Sequence, residues 1–200
     1  MTGLFNRRGF LEAAEKLIES QRKSGQPVTI MMFDLDHFKS INDRFGHEVG
    51  DEALQAFAAT ASTNMRQHDV VGRLGGEEFA AILPGGIETA QLVAERVRAA
   101  FETRGVEISG HAMNATVSIG ISESLADVAQ ITTMLARADR ALYAAKAKGR
   151  NRVCSDKEAR DVMPKAPSLV PAAGQGEAAQ DVRTHDDAPH GFGAPVAAMA

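Results

Sequence analysis

The sequence predicts an α/β or α+β domain with a mixed sheet, and two features support this class. Segments with helical apolar spacing alternate with strand-like apolar runs through residues 1–154. Two of these runs are joined at Gly75 and Gly76, which is typical of a hairpin between antiparallel strands. A purely parallel, doubly wound sheet contains no such hairpin, so a mixed sheet is the better prediction.

Apolar residues recur every three or four positions in separate segments, which predicts helices there. The predicted helices cover residues 10–18, 54–65, 92–101 and 131–149, and Gly149 ends the last of them. Apolar runs predict the strands, and a hairpin turn is expected near His111. The predicted strands are residues 28–36, 69–74, 78–84, 106–110, 114–122 and 151–154, the last being a short edge strand.

Charge and composition argue against several classes of protein. The net charge is −4, which gives no electrostatic reason to expect a nucleic-acid polymer or an anionic membrane as a partner. No stretch approaches the roughly 20 apolar residues of a membrane span, and no apolar signal-peptide segment follows the N-terminal arginines. Cys154 is the only cysteine, so an intramolecular disulfide is excluded and a reducing, cytoplasmic location is expected.

The composition changes after Cys154, which predicts a domain boundary at that residue. Residues 155–200 contain five of the seven prolines and show no sustained helical or strand period. We therefore expect a folded domain over residues 1–154 and a disordered tail over residues 155–200. His185 and His190 lie in this tail and are expected to be solvated rather than to bind a metal.

Four carboxylates stand where the first long strand ends and where the hairpin turns. The strand leads into Asp34 and Asp36, which alternation places on one face, and the hairpin carries Glu77 and Glu78. If the hairpin tip lies beside the end of the strand, Asp34 and Glu77 converge. Such hard oxygen ligands suit Mg²⁺ together with substrate phosphates. The alternative is that the aspartates cap the next helix and the glutamates are exposed turn residues.

The segment that contains these aspartates is rich in short polar side chains. Residues 33–51 include Lys39, Asn42, Asp43, His47 and Asp51. An ordinary solvated helix carries more Glu and Lys at i,i+4 spacing and fewer Asn, Asp and Gly. A carboxylate and an amide together can hydrogen-bond the polar edge of guanine, although each residue taken alone is better explained by turn or cap chemistry.

Two cations stand at the end of the last predicted helix. Lys146 and Arg150 are four residues apart, so we expect them to share a face. They complement the helix dipole in that position. They could equally hold phosphate oxygens, the arginine in a bidentate manner.

Four segments together resemble the GGDEF-domain family of diguanylate cyclases: TGLFNRR, FDLDHFKSINDRFGHEVGD, RLGGEEF and ADRALYAAKAKGRNR. They follow the family's order and spacing, and GGEEF is an accepted form of its signature. The resemblance covers about Thr2 to Val153. It implies a palm-like α/β (α+β) fold similar to that of nucleotide cyclases, with a central mixed, largely antiparallel five-stranded sheet wrapped by helices.

The resemblance also implies an activity, the condensation of two GTP into cyclic di-GMP with release of two pyrophosphates. The implied cofactor is Mg²⁺ or Mn²⁺, held by Asp34, Glu77 and the backbone carbonyl of Leu35. Glu77 is in addition the implied base for the 3′-hydroxyl. Lys39 would stabilise the transition state, and Glu78 completes the signature.

The remaining implied site residues bind the substrate. Asn42, His47 and Asp51 would hold guanine and ribose, and Lys146 and Arg150 would hold the phosphates. Because each domain holds one GTP, the resemblance implies that catalysis needs a homodimer.

A second implied site lies upstream of the hairpin. The segment RQHD, residues 66–69, matches the family's RxxD inhibitory site, which binds cyclic di-GMP away from the active centre. Arginine can stack on guanine and hydrogen-bond to it. We therefore expect Arg66 and Asp69 to bind the product, with Arg96 as a further arginine. Taken alone, RxxD is more often a surface ion pair.

Three functions stay open. The first is an active, product-inhibited diguanylate cyclase. The second is a catalytically silent cyclic di-GMP receptor, and the third is an enzyme that uses another nucleotide. The metal and guanine residues favour the first, because a pure receptor does not need them. The family block begins at Met1, so an upstream sensory or dimerising module is expected to be absent from this chain.

Overall fold

A mixed six-stranded sheet forms the centre of the protein, whose computed structural model describes residues 2–160. The α+β class predicted from the sequence is confirmed. In chain order the elements are β1 (Phe5–Asn6), α1 (Arg7–Arg22), β2 (Pro27–Leu35), α2 (Phe38–Phe45), α3 (His47–Asn64), β3 (Val70–Gly75), β4 (Glu78–Pro84), α4 (Ile87–Arg104), β5 (Glu107–Ile108), β6 (His111–Ala112), β7 (Val117–Leu125), α5 (Ile131–Ala147), β8 (Val153–Ser155) and α6 (Asp156–Arg160).

The strands of the central sheet follow the order β1-β3-β4-β2-β7-β8. The four inner strands pair antiparallel, whereas β1 is parallel to β3 and β8 is parallel to β7. The mixed and largely antiparallel sheet is therefore as expected, but it has six strands rather than five. One strand that the sequence pattern did not indicate is β1, which has two residues and is too short to show a strand period.

The strand predicted at residues 106–110 does not join the central sheet. Only Glu107 and Ile108 form a strand there, and they pair with β6 in a separate two-stranded sheet. Ser109 and Gly110 form the turn between them, with φ of 53° and 77°. Positive φ at both central residues is the geometry of a tight two-residue hairpin. A turn near His111 is therefore present, but it joins β5 to β6 and not the predicted strands at residues 106–110 and 114–122.

Two apolar layers enclose the sheet, and β2 runs between them. Neighbouring residues of β2 point to opposite faces, so Phe33 packs with α3 and α4 while Met32 packs with α1 and α5. On the first face, the ring of Phe57 lies 5.6 Å from that of Phe33, 4.7 Å from that of Phe79 and 5.1 Å from that of Phe101. Burial on both faces explains why β2 reads as a nearly continuous apolar run.

Helix α5 lies directly against β7 because Gly120 has no side chain. A Cβ atom at this position would stand 2.1 Å from the carbonyl oxygen of Ala138 and 2.2 Å from the backbone nitrogen of Leu142. No side chain fits at such distances. The close approach carries the last turn of α5 to the end of β2, where Lys146 reaches Asp34.

The ordered elements continue past the boundary predicted at Cys154. Strand β8 ends at Ser155, and α6 follows it to Arg160. The Nε of Arg137 on α5 donates a hydrogen bond of 2.7 Å to the buried carboxylate of Asp156, which fixes α6 against α5. This corrects the predicted start of the tail. Residues 161–200, with His185 and His190, lie outside the described residues.

None of the helices within residues 2–160 combines the length and the apolar character that crossing a lipid bilayer requires.

Candidate functional site

The tip of the β3–β4 hairpin lies beside the end of β2, which is the condition under which the sequence predicts that Asp34 and Glu77 converge. Asp34 is the register partner of Glu78 across the β2–β4 pair. The backbone nitrogen of Leu35 lies 3.5 Å from the carbonyl oxygen of Glu77, which is a long contact that closes the ladder. Register partners have their side chains on the same face of a sheet, so Asp34 and Glu78 face the same side.

The carboxylate of Asp34 is the main electrostatic feature of this region. It is only 7% exposed, and its Oδ2 lies 2.8 Å from the Nζ of Lys146. Burial raises the pKa of Asp34, the hydrogen bond and charge of Lys146 act in the opposite direction, and the charges of Glu77 and Glu78 raise the pKa further. One ammonium group therefore does not offset the combined cost of burial and of the neighbouring carboxylates.

The donor atoms present fit a hard divalent cation. Asp34 and Glu77 offer carboxylate oxygens, and the charge of Glu77 acts on Asp34. Leu35, whose backbone nitrogen lies 3.5 Å from the carbonyl oxygen of Glu77, has a backbone carbonyl to offer as well. Within residues 2–160, no three Asp, Glu, His or Cys side chains are grouped closely enough to complete a metal site by themselves. Mg²⁺ is commonly bound through one or two carboxylates, with water and substrate phosphates supplying the remaining oxygens, so a partial set of protein ligands is in keeping with this ion.

Asp36 has a different role from Asp34, although the sequence pattern places the two together. Its carboxylate accepts hydrogen bonds from the hydroxyls of Thr116 and Ser118, both of 2.7 Å, and from the backbone N–H of Asn151 at 3.0 Å. Asp36 thereby ties the end of β2 to the start of β7 and to the loop after α5. Sequence reasoning missed these partners, although the polar residues at alternate positions beside an apolar strand were a possible signal.

Neither aspartate caps the helix that follows β2. The N-cap of α2 is His37, which has a left-handed φ of 57° and makes no side-chain capping bond. The first-turn N–H groups of α2 thus lack a side-chain acceptor from the cap, and such a helix start favours anions. Lys39 lies in this first turn and is exposed. Its Nζ lies 3.2 Å from the Oδ2 of Asp43, so its ammonium group is paired there and not with Asp34 or Glu77.

The residues predicted to bind guanine and ribose meet at the corner between α2 and α3. The side chain of Asn42 lies against Gly50, where a Cβ atom would stand 1.9 Å from its Oδ1. His47 and Asp51 are four residues apart on α3 and are both exposed, so they share a face beside Asn42. Gly50 was not singled out in the sequence, yet it makes the space that Asn42 occupies.

The predicted common helical face of Lys146 and Arg150 is not observed. Helix α5 ends at Ala147, and Arg150 lies beyond it with a left-handed φ of 65°. The N–H of Gly149 donates to the carbonyl of Lys146 at 3.3 Å, and that of Arg150 donates to the carbonyl of Ala145 at 3.0 Å. These two bonds form a Schellman motif, which ends the helix before i,i+4 spacing can apply.

The backbone of the hairpin tip is fixed by the Arg73 side chain and stays exposed. Gly76 has φ of 47°, and the Nε of Arg73 donates a hydrogen bond of 2.8 Å to the Gly76 carbonyl. Among residues 2–160, no heavy atom outside the immediate chain neighbours would lie within 4 Å of a Cβ at Gly75 or Gly76. The backbone of the turn is therefore accessible to a ligand. The structural role of Arg73 was not predicted from the sequence.

The RQHD segment forms a turn at the opposite end of β3 from the hairpin tip. The backbone N–H of Arg66 donates to the Asp69 carboxylate at 2.8 Å, and the N–H of Asp69 returns a bond of 3.0 Å to the Arg66 carbonyl. Both residues line a cavity of about 300 Å³. Arg96 donates a hydrogen bond to the carbonyl of Asn64, and the next residue, Met65, also lines this cavity. Arg66, Asp69 and Arg96 therefore lie in one region.

Comparison with known proteins identifies the class to which this fold and site belong. The family model described as "Diguanylate cyclase, GGDEF domain" matches residues 1–152. The chain therefore belongs to the GGDEF-domain family of diguanylate cyclases.

Similar individual proteins agree with this assignment. The response regulator PleD of Caulobacter vibrioides is 40% identical over 156 residues, which cover 76% of this chain and 34% of PleD. This chain thus spans about a third of the length of that relative. The active GGEEF domain of a diguanylate cyclase from Vibrio cholerae is 34% identical with a TM-score of 0.68, over 76% of this chain and 97% of that one.

A solved structure that contains c-di-GMP is also similar. The coiled coil and GGDEF domain of DgcB from Caulobacter crescentus, in complex with c-di-GMP, is 30% identical with a TM-score of 0.71. The similarity covers 77% of this chain and 82% of that chain.

The contrast between the two aspartates predicts opposite effects on stability. Burial raises the pKa of Asp34 above its value in the unfolded chain, so the folded chain binds more protons and loses stability as pH rises through that interval. At pH 7 the ionised Asp34 therefore lowers stability, and Asp34→Asn should leave the free energy of unfolding unchanged or raise it.

Asp36→Asn is the matched control for this prediction. It leaves a donor of Thr116, Ser118 or Asn151 without an acceptor, which should lower the free energy of unfolding by about 1–3 kcal/mol. Urea unfolding of both variants at pH 7 measures the difference. An Asp34→Asn protein that loses as much stability as Asp36→Asn would mean that the Asp34–Lys146 pair holds the fold together.

Proposed function

We propose that this domain is a diguanylate cyclase that condenses two GTP into cyclic di-GMP and releases two pyrophosphates. The observation that carries the proposal is the buried carboxylate of Asp34 beside Glu77, Glu78 and an accessible glycine turn. A fold that needed only stability would not keep this excess of negative charge at a buried strand end. Membership of the family supports the same activity.

We infer that Mg²⁺, or Mn²⁺ in its place, is held by Asp34, Glu77 and the carbonyl oxygen of Leu35. When bound, the ion supplies positive charge that neutralises the phosphates and favours ionisation of the attacking hydroxyl. The chain's own contribution is to bring the hairpin tip with Glu77 beside the end of β2 with Asp34 and Leu35. Glu78, the register partner of Asp34, adds negative charge beside them.

The reaction needs a base, and Glu77 is our assignment. Its carboxylate takes the proton of the 3′-hydroxyl as the 3′-oxygen forms a bond to the α-phosphorus of the other GTP. The bond from that phosphorus to the bridging oxygen breaks, and pyrophosphate leaves. Lys39, exposed in the first turn of α2, is the side chain that we assign to the charge that develops in the transition state.

Two groups of residues bind GTP in this proposal. Asp51 accepts from the N1–H and amine of guanine, and Asn42 and His47 complete contacts to the base and ribose. The position of Asn42 against Gly50, beside the exposed face of α3, supports this grouping. Lys146 and Arg150, with the first-turn N–H groups of α2, hold the triphosphate.

A homodimer is required by the geometry of the reaction. A single domain offers one set of carboxylates and one guanine corner, and so holds one GTP. Cyclic di-GMP forms only when the 3′-hydroxyl of one GTP attacks the α-phosphate of another. Two domains facing each other supply both pairs. Activity per chain that stays constant on dilution of a monomeric sample would contradict this requirement.

The cavity at the far end of β3 is our candidate for product feedback. Arg66 and Asp69 line it and Arg96 lies beside it, at a distance along β3 of roughly 20 Å from the hairpin tip. Cyclic di-GMP bound there would not touch the metal ligands. It would instead cross-link two domains and hold their GTP sites apart, which is a coupling between distinct sites.

The cytoplasm is the proposed location. GTP is a cytoplasmic nucleotide, and the single thiol, Cys154, is buried and has no cysteine partner in the chain.

The Glu77→Gln variant tests the catalytic assignment. The change removes the charge of a metal ligand and the proposed base but preserves side-chain size. Incubation with GTP and Mg²⁺, followed by chromatography, should show cyclic di-GMP from the original protein and a rate lower by at least ~100-fold from the variant. The same change at Glu15, exposed on α1, is the control and should leave the rate unchanged.

Two outcomes would count against this function. Turnover of Glu77→Gln at the original rate would remove Glu77 from the mechanism. Tight binding of cyclic di-GMP by the unaltered protein, with no product formed even when two domains are joined by a parallel coiled coil, would favour a receptor instead.

The Arg66→Ala variant tests the feedback site. Losing the guanidinium should abolish tight binding of cyclic di-GMP and relieve product inhibition, while the initial rate changes less than about twofold because the metal site is remote. Isothermal calorimetry and progress curves measure the two effects. Arg104→Ala, at the exposed end of α4, serves as the control. If inhibition persists at the same product concentration in Arg66→Ala, the product acts through the active site.

A further inference from the structure

Asn151 joins the proposed phosphate-binding loop to two other parts of the fold. Its backbone N–H donates a hydrogen bond of 3.0 Å to the Oδ2 of Asp36 at the end of β2. Its side-chain Oδ1 accepts from Nη1 of Arg98 at 2.9 Å, and its Nδ2 donates to Oε1 of Glu102 at 2.7 Å. Arg98 and Glu102 both lie on α4, so one residue ties the loop to a strand end and to a helix.

The partners of Asn151 on α4 are themselves fixed. Nε of Arg98 lies 2.8 Å from Oε2 of Glu95, and Nη1 of Arg98 lies 2.8 Å from Oε2 of Glu102. The side chain of Arg98 is only 19% exposed, so this pair of contacts is less screened than an ordinary surface ion pair. The two side chains that bind the amide of Asn151 are therefore held in place by their contacts with each other and with Glu95.

The backbone of Arg150, the residue before Asn151, is held on both sides. Its N–H donates to the carbonyl of Ala145 and its own carbonyl accepts from Nε of Arg152, each at 3.0 Å. Arg150 and Asn151 both have left-handed backbones, with φ of 65° and 45°. Two consecutive non-glycine residues in this region need support from their surroundings, and the contacts of Asn151 supply it.

We propose that Asn151 is a positioning residue that fixes Arg150 for binding the triphosphate of GTP, with helix α4 as its support. The inference rests on the proposed function, because it assigns phosphate binding to Arg150. Asn suits the position for two reasons. It tolerates the left-handed backbone, and its amide can accept from Arg98 and donate to Glu102 at the same time. Asn151 itself does not contact the substrate in this proposal.

The Asn151→Gly variant tests the proposal because it removes only the side-chain link. Glycine keeps the left-handed backbone and the N–H bond to Asp36, so the fold is expected to persist. The probe is 3′-deoxy-GTP with Mg²⁺, which lacks the nucleophile and cannot condense. We expect its Kd to rise by about five- to tenfold, the scale of one or two lost hydrogen bonds. Glu95→Gln, which keeps both side-chain bonds of Asn151, should bind the probe as the unaltered protein does.

A double-variant cycle separates positioning from general destabilisation. If Asn151 acts through Arg150, the Kd of Arg150→Ala combined with Asn151→Gly should equal that of Arg150→Ala alone. Multiplication of the two single effects would overturn the proposal, and so would an unchanged Kd for Asn151→Gly. An unchanged Kd for Arg150→Ala would overturn it together with the assigned role of Arg150. The proposed function fails separately, if the unaltered protein binds the probe but forms no cyclic di-GMP from GTP.

Discussion

A carboxylate buried at the end of the central strand is the constraint on which the rest of the site depends. Asp34 lies at the end of β2 and has Lys146 as its close cation. Burial raises the pKa of Asp34 above its usual value despite Lys146, and the charges of Glu77 and Glu78 of the hairpin raise it further. A fold can retain such a buried negative charge when a bound ligand neutralises it. The proposed ligand is a divalent cation with the phosphates of GTP, because the cation binds carboxylate oxygens and phosphate oxygens at the same time.

The scaffold holds this unfavourable group in place by fixing every element around it. β2 is buried on both faces, so its end does not shift towards solvent. Two residues further on, Asp36 accepts hydrogen bonds from β7 and from the loop after α5, which locks the strand end. Gly120 lets α5 approach β7 closely enough to deliver Lys146. The stable interactions thus surround the carboxylate of Asp34 rather than involve it, which is the arrangement that a binding site requires.

Much of this arrangement could be predicted from the sequence because it depends on local patterns. The apolar run of β2 and the glycines of the hairpin located the two acidic segments, whereas the convergence of Asp34 and Glu77 depended on the hairpin tip lying beside the strand end, which the structure shows. The features that were missed depend on the ends of elements or on distant partners. Gly149 correctly indicated the end of α5, but the prediction extended helical spacing past this glycine and so gave Lys146 and Arg150 a common face that the Schellman motif removes. Helical spacing could not show that Asn151 contacts both β2 and α4, because those partners are far away in sequence and no alternation connects them.

The most direct test of the central claim is whether a bound cation stabilises the folded protein through the buried carboxylate of Asp34. Thermal unfolding would be followed with and without Mg²⁺ in the presence of 3′-deoxy-GTP, for the unaltered protein and for Asp34→Asn. A ligand that binds only the folded chain raises the unfolding temperature by mass action. The account predicts that adding Mg²⁺ raises the midpoint of the unaltered protein and leaves that of Asp34→Asn nearly unmoved. Equal shifts in the two proteins, or none in either, would contradict it.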